Sequence, residues 1–390
     1  MRIINAKIYT MEGPVIDPGF LEFSQGKITA VGSMEDMTRD ETEPLDAKGK
    51  ILLPGFLDAH THLGMWEDSL GFEGDDGNED TDPCTPHLRA IDAVNPTDRC
   101  FKEALAYGIT TVVTGPGSAD PVAGQMIAMK TKGVNIDKMV IRSPLAIKFA
   151  LGENPKTVYH GKNQTPVTRM ATAAIIREEL FKAKKYKEAI QKAAEDEDTE
   201  EPEFDMKCEA LLPLLRGEIS AHFHAHRMDD IFTAIRIAKE FHLKYAIVHG
   251  TEGHLYPRAL AEENARVLAG PMICDRPKPE MSAMSPSAPG ILSKAGILTA
   301  IVTDHSVVPI QYLTLCAALA VSEGMEYDEA LKAITINPAM ICGIEDRVGS
   351  FKPGKDADFV LFDRDPLSLN AKPCAVYING ERVTFEGENG

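Results

Sequence analysis

Several short apolar runs in this chain end in histidine or aspartate. In "PGFLDAHTHLG", residues 54–64, His60 and His62 close the run. Alternate residues of a strand share a face, so the two imidazoles leave on one side with Cα atoms about 7 Å apart. That arrangement suits two nitrogen ligands on one divalent ion. An isolated HxH is more often an ordinary polar loop, but three further runs repeat the pattern. "GEISAHF" leads to His224 and His226, with His222 on the same strand parity. "YAIV" leads to His249, and "ILTAIVT" leads to Asp304. Four strand ends carrying metal-ligand types point to a metal centre.

Such a centre needs a scaffold that brings strand ends together. Through the middle of the chain, helical patterns alternate with apolar runs. The helix "PTDRCFKEALAYG" precedes "ITTVVTG", "DDIFTAIRIAKEF" precedes "YAIVHG", and "APGILSKAG" precedes "ILTAIVTDH". Strand–helix alternation over about 290 residues predicts a (β/α)8 barrel, in which chemistry sits where the strands end. The two termini have another texture. "RIINAKIYT", "FLEFSQGKITAVG", "DADFVLFD" and "CAVYINGERV" alternate as strands, the last with an Asn-Gly hairpin signal. The expected architecture is therefore α/β: a (β/α)8 barrel over 52–345 and a small β-domain assembled from 1–51 and 346–390.

Composition narrows the partners. A formal charge of −18 disfavours nucleic acid and anionic membranes. No apolar run approaches the ~20 residues that span a bilayer, and "MRIINAKIYTMEG" lacks the regions of a signal peptide. The seven cysteines are scattered without a CxxC, which argues against a disulfide framework and for a reducing cytoplasm. The expected partner is a small-molecule substrate, with a homo-oligomer left open. One segment, "MATAAIIREELFKAKKYKEAIQKAAEDEDTEEPEFD", reads as a long amphipathic helix running into a solvated acidic loop, with a lid or a subunit contact as the alternative. "GENPK" (152–156) reads as a turn and lacks the pattern of a phosphate loop.

"PGFLDAHTHLG", the later His-ended strands, "TDH", the "NPA" helix and "GSFKPGKDADFVLFD" together resemble the amidohydrolase superfamily. Within it the chain is most similar to imidazolonepropionase-related amidohydrolases and metal-dependent dipeptidases, over essentially its whole length. The resemblance implies an α/β fold of that kind: a distorted (β/α)8 TIM barrel carrying a small β-sandwich domain formed from both chain termini. It also implies that His60 and His62 are first-strand ligands, His224 the fifth-strand ligand, His249 the sixth-strand residue and Asp304 the eighth-strand carboxylate. Depth along the strand makes His222 a satisfied core histidine and leaves His226 at the mouth, for substrate or support. Many members place a lysine at the end of the fourth strand, whose carbamate bridges two metals. Lys148 in "SPLAIKFALG" matches that context. A charged lysine there would be costly to bury; the alternative is that it snorkels to the rim or pairs with Glu153.

The function implied is that of a hydrolase acting on a C–N bond, an amide or cyclic amide such as a dipeptide or N-acyl amino acid. The resemblance also implies one or two divalent ions, zinc first and iron or manganese as alternatives, since His and carboxylate ligands suit all three. The ion makes water nucleophilic near neutral pH. Asp304 takes and returns the proton, and His249 polarises the carbonyl or completes a second ion site. The rival readings are a mononuclear deaminase and a non-catalytic scaffold. Secondary candidates for substrate contact are His226, Arg227 with Asp229, and His254. In the acidic loop after the first strand, Glu73, Glu79 and His87 are candidates for reading a cation, or else solvated surface.

Overall fold

The computed structural model describes residues 1–38, 43–68, 70–369 and 371–385. Eight strands pair in chain order into one sheet: β1 (Phe56–Thr61), β2 (Ile109–Thr114), β3 (Val122–Lys130), β4 (Val140–Ala150), β5 (Ser220–Ala225), β6 (Tyr245–His249), β7 (Arg266–Ala269) and β8 (Leu298–Ile301). A parallel bridge between Thr61 and His305 brings the chain beyond β8 back to β1, so the sheet nearly closes as a barrel.

Period-two alternation sets the faces. On β5, Ala221, Phe223 and Ala225 join one apolar cluster with Ile231, Ala234, Ile235 and Ala238 of the helix Met228–Glu240. Those helix residues recur at 3–4 spacing, the stripe of an amphipathic helix against a sheet. Phe223 and Ile231 are fully buried, which is worth about 1.5–3 kcal/mol for each such side chain. His222 and His224 take the opposite parity, away from that helix.

The distortion lies at β3. It runs antiparallel to both β2 and β4, whereas β1–β2 and β4 through β8 pair in parallel. Antiparallel neighbours need no helical crossover, and the chain spends only residues 115–121 between β2 and β3. The strict strand–helix alternation expected from sequence is therefore absent at this point.

Strands from both termini form the second sheet, among them Arg2–Ile8, Ile16–Ser24, Lys27–Ser33, Ile51–Pro54, Phe359–Phe362 and Ala375–Ile378. In its hydrogen-bonding order Ile16–Ser24 and Phe359–Phe362 stand three strands apart, about 14 Å if the sheet were flat. Yet the rings of Phe23 and Phe359 are 5.2 Å apart and Phe23 also meets Tyr377. The sheet curls until its two halves pack face to face, and in this form it supplies the expected sandwich. A buried ion cluster joins it to the barrel. Lys130 at the end of β3 reaches Asp356 at 2.9 Å and also pairs with Asp358; Arg347 holds Asp356 with two hydrogen bonds of 3.1 and 2.9 Å.

The long helix forms over Arg169–Glu195, capped by Thr168. Its buried residues, Thr172, Ala173, Ile176, Leu180 and Ala183, stop short of its last three turns. "GENPK" is not a turn: it opens the helix Glu153–Gly161, where Pro155 lies in the first turn and its missing N–H costs nothing. No described helix is long and apolar enough to cross a membrane.

Candidate active site

Two groups of ligand-type side chains stand at the carboxyl ends of the barrel strands. In the first, His60 Nε2 and His62 Nε2 lie 3.2 and 3.5 Å from Asp304 Oδ1. In the second, His224, His226 and His249 converge. Within each group the ligand atoms lie within 4.8 Å of one another. His60 joins the groups: its ring centroid is 5.4 Å from that of His249, and Lys148 Nζ is 3.2 Å from its Nε2. Lys148 is fully buried. It neither snorkels nor meets Glu153, because β4 carries it into the barrel beside His222 of β5.

Backbone carbonyls set the tautomers. His62 Nδ1 lies 2.7 Å from Gly115 O, and His249 Nδ1 lies 2.7 Å from Gly270 O. A carbonyl only accepts, so Nδ1 carries a proton in both rings, and Nε2 is the atom left free to act as a ligand in a neutral ring. Burial, reinforced by Lys148, pulls the His60 pKa down to about 3. Burial, with Lys278 adding to it, takes His226 to about 3. Burial and neighbouring imidazoles hold His224 well below its ordinary value. Burial does the same at His249, where it outweighs the opposing Asp304 charge. These rings are neutral at pH 7, the state that binds metals. Burial pushes the Asp304 carboxyl up, but His249, His60 and His62 outweigh it and hold it well below the carboxylate range. Burial lowers the Lys148 ammonium to about 8.

The donor set suits a divalent cation. Imidazole nitrogens, joined in the first group by a carboxylate, converge within 4.8 Å in each group, and these are ligand types that divalent ions take. His222 is outside both groups. It is buried as expected but not satisfied: neither ring nitrogen has a hydrogen-bond partner among the described residues.

The structure gathers His226 with the ligand-type residues, where the sequence suggested a place at the mouth. Its ring stacks on His249 at 4.5 Å with 5° between planes, and its Nδ1 pairs with Thr251 Oγ1 at 2.7 Å. Its Nε2 lies 3.9 Å from Glu280 Oε1. Glu280 lines a cavity of about 350 Å³ together with Arg227, Asp229 and Glu252. Arg227 is exposed and donates to both oxygens of Asp229. His254 is half-buried, with Nδ1 2.9 Å from Thr251 O. In the first loop, Glu73 and Glu79 are exposed. Glu79 and His87 line a separate groove of about 1070 Å³. The loop's contact with the histidines is Trp66, whose ring packs on His62 at 4.3 Å and whose indole donates to Asp75.

Sequence reading missed several residues near the histidines. Asn154 Nδ2 lies 3.5 Å from His224 Nε2 and donates to Ser118 Oγ, while Lys278 Nζ donates to Asn154 Oδ1, both at 2.7 Å. Asp58 was also passed over, although it stands in the same motif as His60.

The amidohydrolase family matches residues 51–383. Amidohydrolase tasK of Hapsidospora irregularis is 32% identical over 86% of this chain, which spans only 36% of that longer protein. An imidazolonepropionase of Symbiobacterium thermophilum is 25% identical over 90% of this chain and 85% of its own. The crystal structure of an amidohydrolase from Thermotoga maritima superimposes with a TM-score of 0.93 at 41% identity, covering 98% of this chain and 99% of that one. With residues 51–383 matched by the family and a solved amidohydrolase superimposing over 98% of its length, the chain belongs to the amidohydrolase family.

Proposed function

We propose that the chain is a metal-dependent hydrolase of a C–N bond in a small molecule, an amide or cyclic amide such as a dipeptide or an N-acyl amino acid. The observation that carries this reading is the convergence of five imidazoles and a carboxylate at one end of the barrel. His60, His62 and Asp304 would hold one ion; His224 and His249, with His226 beside them, would hold a second. Zinc is the proposed metal, with iron and manganese as the alternatives. Bound ions supply Lewis acidity and a water that is nucleophilic near neutral pH. Lys148 reaches toward His60 from between the groups. As a carbamate, formed when its neutral amine adds to CO2 and releases a proton, it would offer two oxygens in place of a buried ammonium.

Asp304 is ionised and so placed to take a proton from the attacking water and return it to the leaving nitrogen. Trp66 over His62 shields that side of the site from solvent. The test is elemental analysis with a substrate screen. The purified protein should carry one or two divalent ions and lose activity on N-acyl amino acids, dipeptides or cyclic amides when chelated. His60→Ala with His62→Ala should lose the metal; full metal content in that variant would remove the assignment. Ammonia released from an amidine-like ring, with no amide cleaved, would instead identify a deaminase.

A further inference from the structure

The barrel closes poorly where β1 meets β8. At the lower end, Leu57 N donates to Ile334 O and Ile301 N donates to Ala333 O, at 2.8 and 2.9 Å. Residues 333 and 334 therefore stand between the two strands, and no direct ladder forms there. At the upper end the backbones do meet: Asp304 N donates to His60 O at 3.2 Å and His62 N to His305 O at 2.8 Å. Between these levels the seam is bridged by one side chain. Asp58 is fully buried on β1. Its Oδ1 accepts from His60 N at 3.1 Å. Its Oδ2 accepts from Thr303 N at 3.0 Å and Thr303 Oγ1 at 2.6 Å. The same Thr303 hydroxyl accepts from His305 N at 3.2 Å.

We propose that Asp58 is a positioning residue that takes the place of the missing strand ladder and sets the distance from His60 and His62 to Asp304. The bonds fall on the backbone of His60 itself and of Thr303, the residue before Asp304. They continue through the Thr303 hydroxyl to His305, whose carbonyl holds His62. Each ligand of this group is thus within one or two residues of a bond that begins at Asp58. The carboxylate fits the task because it offers acceptors only, and three donors face it. An asparagine of equal size has one acceptor oxygen, so its amide N–H would be forced against either His60 N–H or the Thr303 donors. The proposal rests on the metal role of His60, His62 and Asp304, and adds to it the cause of their spacing.

The experiment compares wild type with Asp58→Asn, the milder Thr303→Val, and Asn337→Ala. Asn337 donates to Thr299 O of β8 at 3.0 Å, so its loss loosens β8 without touching the Asp58 bonds. Zinc affinity is measured by competition with a chromogenic chelator. Thermal stability and peptide-level hydrogen exchange of the metal-free proteins are measured alongside. Asp58→Asn should weaken zinc binding about 10- to 100-fold, as loss of a partner behind a metal ligand commonly does. Thr303→Val should weaken it less, and Asn337→Ala least for an equal fall in melting temperature. In the metal-free variants, faster exchange should be confined to the peptides holding 56–62 and 300–306. If Asp58→Asn binds zinc as tightly as wild type, or no more weakly than Asn337→Ala at matched stability, the proposal is overturned. If Asp58→Asn fails to fold, Thr303→Val decides in the same way. If wild type binds no zinc, the metal reading fails by itself, and exchange unchanged around 56–62 and 300–306 would then overturn the clamp as well.

Discussion

Replacing Lys148 by methionine should cost the site one of its ions. Burial in β4 brings this ammonium down to about 8, with Nζ 3.2 Å from His60 Nε2. At pH 7 far more of this amine is therefore neutral than of an exposed lysine near 10.5, and the neutral amine is the form that reacts with CO2. Protein prepared with 13C-bicarbonate and zinc should show a carbamate carbon by NMR, and Lys148→Met should not. The variant should keep its fold, because a thioether chain of similar length fills the same buried volume. It should hold about one ion fewer per chain and lose most of its turnover. The protonation equilibrium also sets a rate. At pH 6 the neutral fraction falls about tenfold from its value at pH 7, and recovery of the second ion by metal-free protein in bicarbonate should slow in proportion. Two ions and wild-type turnover in Lys148→Met would refute the bridging role, as would a wild-type protein with no labelled carbon.

Asp304→Asn keeps shape and one oxygen but carries no proton at neutral pH; kcat should fall about 10²–10⁴-fold, or more if metal placement suffers, with KM little changed and at least one ion retained, and steady-state kinetics on metal-assayed protein would check it. Gly152 has φ 89°, and an added Cβ would stand 2.7 Å from Glu280 Oε2. Gly152→Ala should therefore lose about 1–3 kcal/mol, read as a fall of several degrees in a melt. The Asp356 carboxyl is pushed up by burial but held well below its ordinary range overall by Arg347, Lys130 and Lys27. A depressed carboxyl stabilises above the unfolded pKa, near 3.9, and its contribution fades as pH falls below that toward the folded value. Asp356→Asn should thus be less stable than wild type at pH 7, by about 3–5 kcal/mol for a broken buried pair. The gap should narrow below pH 4 in paired denaturation curves; an equal gap at both pH values would show that its charge is not what matters.

The ends of the barrel strands were legible because ligand-type residues there obey simple geometry. His60 and His62 share a strand face, and "ILTAIVT" points straight to Asp304. The terminal strands were legible from alternation, though not the curl that sets Phe23 against Phe359, since curvature follows from register and not from the pattern along one strand. The direction of β3 was missed. All nine of its residues are buried, so no alternation marks either face. A signal was nevertheless present in the short link "GPGSADP" before it, too short for the crossover that a parallel neighbour requires.

The grouping of His226 with His224 and His249, and the spacing of the ligand-type residues, were not legible for a different reason. Strand parity holds only while the ladder lasts, and the site lies where the ladder gives way. β5 ends at Ala225, one residue before His226. β6 ends at His249 with φ 73°, and Asp304 follows β8 with φ 55°. Both backbones occupy the left-handed region, unusual for a residue with a Cβ, and each such residue costs of order 1–3 kcal/mol unless its surroundings fix it. They are fixed from outside the local sequence: His249 by its ring's bond to Gly270 O, Asp304 by its backbone bond to His60 O. Residue types at strand ends can therefore announce a candidate metal site. Its shape comes from carbonyls and carboxylates on other strands, which no pattern within one strand records.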